Sequence, residues 1–113
     1  MANKFQLNIL NMAPYVATVE QQEQGVREPM PEAKAELMKW LSFPEPPAPA
    51  DIVNSAKMLA YLCLQSGHTY AMIDGPAFLM PALEKELREY MIQVFYPFYN
   101  ADGKYIGFVE TLP

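Results

Sequence analysis

The sequence predicts an α/β domain: a small Rossmann-like three-layer sandwich, with a mostly parallel sheet that ends in a C-terminal antiparallel hairpin. Three observations predict it. Short apolar runs alternate with helical patterns along most of the 113 residues, which implies parallel strands joined by right-handed crossovers. The run Thr69-Tyr70-Ala71-Met72-Ile73 is nearly continuous in apolar residues, as suits a central parallel strand covered on both faces. The last two apolar runs are separated only by Asn100-Ala101-Asp102-Gly103, a turn cluster too short for anything but a hairpin.

The elements follow in order. Phe5-Gln6-Leu7-Asn8-Ile9-Leu10 alternates and reads as a strand, with Pro14 beyond it. Thr18-Val19-Glu20-Gln21 is a capping-box pattern that opens a short helix over 19–24, with Gly25 as its stop. Pro31 suits the first turn of a second helix, on which Ala33, Leu37, Trp40 and Leu41 share a face. Prolines 44, 46, 47 and 49 then prevent continuation and read as a stiff linker inside the domain. Asp51 caps or enters the first turn of a third helix running to about Ser66. Its buried stripe is Ile52, Ala56, Leu59, Ala60 and Cys63, and Gly67 closes it.

After the central strand, a fourth helix follows Pro76 and extends to about Tyr90. Phe78, Leu79, Leu83, Leu87 and Met91 are expected to face inward, and Pro81 to kink or delay the start. Lys85 and Glu89 are spaced as an i,i+4 pair. Ile92 to Phe98 and Lys104 to Glu110 are the hairpin strands. The length suits one domain, 1–113.

Composition excludes several classes. The net charge is −5, and the eight Lys and Arg residues are scattered. A duplex nucleic acid partner needs a basic face. No apolar run approaches the ~20 residues that span a bilayer, so no membrane partner is expected. MANKFQLNIL lacks the features of a signal peptide, and Cys63 has no second cysteine to pair with. The expected compartment is the cytoplasm. His68 is the sole histidine, at a helix end. It reads as a dipole-satisfying residue, and with no companion ligands no metal is expected. No dinucleotide or triphosphate glycine motif is present. No cofactor and no catalytic residue are identified.

The candidate site lies at the carboxyl ends of the strands, where open parallel sheets bind ligands. Those ends are Asn8–Tyr15, Ile73–Phe78 and Tyr96–Asn100. Gly75 permits close backbone approach, and a helix start beside it offers unpaired amides. A small anionic or nucleotide-like ligand fits. Asp74 would repel a phosphate but could instead hold a ribose hydroxyl or a metal; taken alone, the residue reads first as a helix cap. Phe95, Tyr96, Phe98 and Tyr99 crowd one strand, with Tyr105 opposite. They read as core, as a base-stacking platform, or as the interface of a homodimer, and the interface ranks first.

The stretches LNILNMAPYVATVEQQEQGV, AMIDGPAFLMPALEKEL and DGKYIGFVE together resemble small Rossmann-like proteins of bacteria and phages associated with CRISPR systems. These are similar to sensors and ring nucleases that handle cyclic oligoadenylates. Asn11, Ala17, Thr18, Glu20 and Gln21 match the first motif, while Ala13 stands for a Thr and Tyr15 for a His. At the junction Asp74 replaces a Gly, Gly75 matches, Pro76-Ala77 is inverted, and Phe78, Leu79 and Met80 match. Tyr105 occupies a second His position, and Gly107 and Phe108 match. The resemblance implies binding of a small nucleotide, with a cyclic oligonucleotide as one form, by a sensor or sink in phage defence or counter-defence.

Tyrosine at both histidine positions favours binding over cleavage, since a phenol is a poor base near neutral pH. Any turnover would be that of a metal-independent phosphodiesterase. The expected ligand-binding residues are Asn11, Tyr15, Thr18, Asp74, Gly75, Phe78, Tyr96 and Tyr105. Gly75→Asp and Asn11→Ala should then weaken binding without unfolding the chain. The alternative is a protein–protein interaction module that uses the aromatic edge and the Pro-rich loop, with no small-molecule ligand.

Overall fold

The computed structural model describes residues 7–111. Its elements are β1 (Ile9–Met12), α1 (Val19–Glu23), β2 (Val26–Arg27), α2 (Pro31–Leu41), α3 (Pro49–Gln65), β3 (Tyr70–Ile73), α4 (Met80–Glu89), β4 (Gln93–Tyr99) and β5 (Tyr105–Glu110). The sheet order is β2-β1-β3-β4-β5. The first four strands are parallel, and β5 runs antiparallel to β4. The α/β class and the closing hairpin are as predicted. Phe5 and Gln6 of the expected first strand lie outside the described residues.

β2 is an addition. It is two residues long and pairs Val26 with Ile9 and Arg27 with Leu10. A pair of residues carries no alternation, so it reads as a strand only once β1 lies alongside.

Strand alternation sorts the core into two layers. Leu10, Met12, Ala71, Ile73 and Val94 pack against α2, α3 and α4 through Leu37, Leu41, Leu59, Leu83 and Leu87. The opposite face buries Ile9, Ala13, Ala17, Val26, Met72 and Phe95, with Tyr15, Tyr70 and Phe108 against them. That second face is roofed by aromatic rings and the short α1 rather than by long helices. Phe95 lies 6.0 Å from Tyr70 and 5.6 Å from Phe108 between ring centroids.

The helix starts follow local chemistry. α2 and α3 each carry Pro in the first turn, preceded by Met30 and Ala48 in extended backbone, the conformation a pre-proline residue prefers. The Asp51 carboxylate accepts the Ala48 N–H at 3.0 Å. On α3, Ser55 is buried and Ile52 only half-buried, a small rotation of the expected stripe.

α4 departs from expectation at both ends. It begins at Met80, with Pro81 in its first turn, because a residue without an N–H is tolerated only there. Residues 76–79 instead form a turn, in which Leu79 N–H donates to the Pro76 carbonyl at 3.0 Å. Leu79, Leu83 and Leu87 are buried as expected, but the turn leaves Phe78 51% exposed. Met91, also expected inside, is 89% exposed. It adopts φ 60°, and its N–H donates to the Arg88 carbonyl at 2.8 Å while Ile92 N–H reaches Leu87 at 3.0 Å. This is a Schellman stop with methionine where glycine is favoured. Met91→Gly should therefore raise stability by about 1 kcal/mol, relieving the left-handed strain of a side chain. Met91→Ala should give no such gain; urea melts of both variants decide it.

Pro97 sits within β4, yet the last pair between β3 and β4 is Met72 with Phe95. The missing N–H thus falls beyond the reach of β3. At the hairpin tip, Asn100 Oδ1 accepts the Asp102 and Lys104 amides at 2.9 and 3.0 Å. On α4 the close i,i+4 ion pair is Glu84 with Arg88 at 2.8 Å; Lys85 and Glu89 form no ion pair among the described residues. No helix among the described residues is long and apolar enough to cross a membrane.

Candidate functional site

The two faces of the sheet locate the site. The chain leaving β1 enters α1 on the aromatic face, whereas the chain leaving β3 enters α4 on the opposite face. β1 and β3 are neighbours, with Met12 opposite Ile73. Divergent connections from adjacent parallel strands mark the point, at their carboxyl ends, where open sheets place ligands. Residues 13–18 and 74–79 stand as walls on either side of that point, joined across it by Tyr15 and Asp74.

The 13–18 wall is pinned from behind. Asn11 is fully buried. Its Oδ1 accepts the Ala13 N–H at 2.9 Å, and its Nδ2 donates to the Tyr15 carbonyl and to Glu28 Oε2, both at 2.8 Å. Glu28 Oε2 also accepts the Ala17 N–H at 2.8 Å. Lys34 Nζ donates to the Ala13 and Tyr15 carbonyls at 3.0 and 3.3 Å, and lies 3.5 Å from Glu28. These groups shape the wall; Asn11 itself has no surface to offer a ligand.

Between the walls, the Tyr15 hydroxyl donates to Asp74 Oδ2 at 2.8 Å. Its proton is thereby spent, so in the 2.9 Å contact between the Tyr15 and Tyr99 hydroxyls the donor is Tyr99. Gln21 Nε2 donates in turn to the Tyr99 oxygen at 3.4 Å. A chain of donors therefore runs from α1 toward one carboxylate, each bond polarising the next. Asp74 Oδ1 accepts the Gly75 N–H at 2.9 Å.

That last bond corrects an expectation. The Gly75 amide does not face outward as an anion donor, because the neighbouring carboxylate holds it. With α4 starting at Met80, the helix N-terminus is also displaced from Gly75. Gly75 itself has φ 146°, and a Cβ there would meet Leu41 at 3.4 Å. Its role is to let the chain turn tightly against α2.

The other expected residues divide between the two faces. Thr18 Oγ1 accepts the Gln21 N–H at 3.1 Å while Gln21 Oε1 accepts the Thr18 N–H at 2.9 Å, so that hydroxyl completes the predicted capping box. Tyr105 is buried, donates its hydroxyl to Gln24, and meets the Tyr99 ring edge-on at 5.9 Å. Tyr96 lies on the helix face and donates to Glu84, which also holds Arg88. Phe78 packs edge-on to Phe43 at 5.3 Å. Tyr15 and Asp74 meet directly, Tyr105 joins them through Tyr99, and Tyr96 and Phe78 flank the helix side.

Tyr99, Glu28 and Lys34 are site residues that sequence reasoning did not select. Tyr99 stands in the noted aromatic cluster, which was a usable signal. Glu28 carries none, since its link to Asn11 exists only because β2 lies beside β1.

The tyrosines are poor bases. Burial, then the hydrogen bonds to Tyr99 and to Asp74, raise the Tyr15 phenol far above its ordinary range. Burial and the Glu84 bond raise Tyr96. Burial, and then the charge of Tyr99, push Tyr105 up to about 12. Because these protons are held more tightly in the folded chain, the associated stability is complete below pH ~10 and falls as pH rises further. Melting temperature should drop between pH 10 and about 12, and Tyr105→Phe should blunt that drop. An equal drop in the variant would remove Tyr105 from this account.

Elsewhere, burial pushes the Cys63 thiol up to about 12, which leaves it an inert core group. The Ser66 hydroxyl donates to the Cys63 carbonyl at 2.5 Å and contacts His68 Nδ1 at 2.8 Å. With its proton on a carbonyl, Ser66 is a helix-end link rather than a nucleophile. Burial lowers the His68 pKa. Among the described residues no group of three or more His, Cys, Asp or Glu could hold a metal ion. No family model, curated protein or solved structure matches the chain.

Proposed function

We propose that this protein binds a small nucleotide-like ligand at the carboxyl ends of β1 and β3, as a cytoplasmic sensor or sink. One observation carries the reading: the carboxyl ends of β1 and β3 bring Tyr15 and Asp74 together on a pinned backbone, with the partly exposed Tyr99 of β4 bonded beside them. Such a corner combines a polar anchor with ring faces on which a base can stack. The raised tyrosine pKa values favour capture over turnover. The resemblance to CRISPR-associated proteins supports a cyclic oligonucleotide as guest and a role in phage defence or counter-defence.

Melting curves with cyclic oligoadenylates, cyclic dinucleotides and NAD-derived nucleotides test this. A ligand at a hundred times its Kd should add about 2.7 kcal/mol to stability and raise Tm accordingly. No shift with any of them overturns the reading.

A second reading rests on β5, the edge strand of the sheet among the described residues. Ile106 and Val109 are 57% and 49% exposed there, beside Phe98 at 47%. An exposed apolar edge suits a protein partner, with a second copy of the chain as the simplest. Light scattering of wild type and Ile106→Lys checks it: a dimer lost in the variant supports the interface, and a monomer at all concentrations removes it.

A further inference from the structure

We infer that the ligand is held through neighbouring hydroxyl groups on the Asp74 carboxylate, as in the diol of a ribose, and not through a phosphate at Gly75. The inference rests on the ligand-binding reading above and narrows its chemistry to guests with a free 2′,3′-diol; a 3′,5′-linked cyclic oligonucleotide, whose 3′ oxygens are esterified, offers only single 2′-hydroxyls and falls outside it.

A carboxylate offers about four acceptor positions. In Asp74, the described residues fill two: Tyr15 hydroxyl on Oδ2 and Gly75 N–H on Oδ1. Both donors are neutral. None of the ion pairs among the described residues involves Asp74. The group is half-buried at the strand ends, so it keeps acceptor capacity on both oxygens. Its two oxygens match a pair of adjacent hydroxyl donors, one to each.

The same geometry works against phosphate. Gly75 N–H, the amide an anion would need, is already held by Asp74, and α4 does not begin until Met80. A phosphate placed there would displace an internal carboxylate and then lie against its charge. Ring faces are available for the rest of a nucleoside. Tyr99, joined to Tyr15, is partly exposed on one side, and Phe78, packed on Phe43, is exposed on the other.

The test uses calorimetry on the full chain with the four ribonucleosides, their 2′-deoxy forms, the matching 5′-monophosphates and inorganic phosphate, on wild type and Asp74→Asn. At least one ribonucleoside should bind. Its 2′-deoxy form and the Asp74→Asn variant should each lose about tenfold or more in affinity, as expected for charge-assisted hydrogen bonds. Inorganic phosphate should give no heat. Circular dichroism of the variant checks that the fold is kept, and Tyr15→Phe, which leaves the carboxylate in place, should retain discrimination between ribose and deoxyribose. If ribo and deoxy forms bind equally, if Asp74→Asn is without effect, or if only phosphorylated forms bind, the hydroxyl inference fails while the ligand site stands. If none of the probes binds, the hydroxyl inference fails, and the melting curves above decide the ligand-binding reading separately.

Discussion

Replacing Asn11 with Ala is expected to destabilise the fold by about 2–4 kcal/mol, the range for stranding buried polar groups. The side chain is fully buried and makes three hydrogen bonds, to Ala13 N–H, the Tyr15 carbonyl and Glu28. Alanine fills none of these positions. The Ala13 amide, itself buried, is left without its partner, and Glu28 loses a donor. Urea denaturation should show a lower midpoint with an unchanged slope. Hydrogen exchange should quicken first across residues 13–17, where the loop is released. Asn11→Asp should be worse, because it sets a second carboxylate against Glu28. A loss below about 0.5 kcal/mol, the size of an ordinary surface change, would remove Asn11 from its structural role. Sequence reasoning expected Asn11→Ala to weaken a ligand while sparing the fold; the burial of Asn11 reverses that expectation.

Leu59→Ala is expected to lower stability by about 2–5 kcal/mol, through lost transfer energy and the cavity left behind. Leu59 has no exposure and belongs to the layer in which α2, α3 and α4 meet the sheet. A single domain of this size has only about 5–15 kcal/mol in total, so the variant should approach unfolding at modest urea concentrations. Val53→Ala is the control. Val53 lies on the same helix but is exposed, and its change should stay within about 0.5 kcal/mol. Comparable losses at both positions would mean that α3 does not present the face described.

The reach of sequence reasoning follows from how far apart the deciding groups are. Thr18 and Gln21 form their box within one turn, and Pro31 and Pro49 open their helices at once. Such signals lie within a few residues and survive whatever the rest of the chain does. Leu79, Leu83 and Leu87 were legible for the same reason. Met91 was not, because the helical period was extended one turn past the stop made by residues 87–92. Phe78 failed at the other end, where Pro81 moved the helix start.

The residue types, their periodicity and their caps thus determined by themselves the α/β class, the central strand, the hairpin and the junction after Ile73. Only the tertiary structure decided what that junction presents. Tyr15 meets Asp74 across 59 residues and Tyr99 across 84, and Glu28 reaches Asn11 across 17. Pairings at that range depend on the register of β1 between β2 and β3, which no local window contains. The physical reason is that a backbone preference is settled by neighbours in the chain, whereas the direction and partner of a hydrogen bond are settled by neighbours in space.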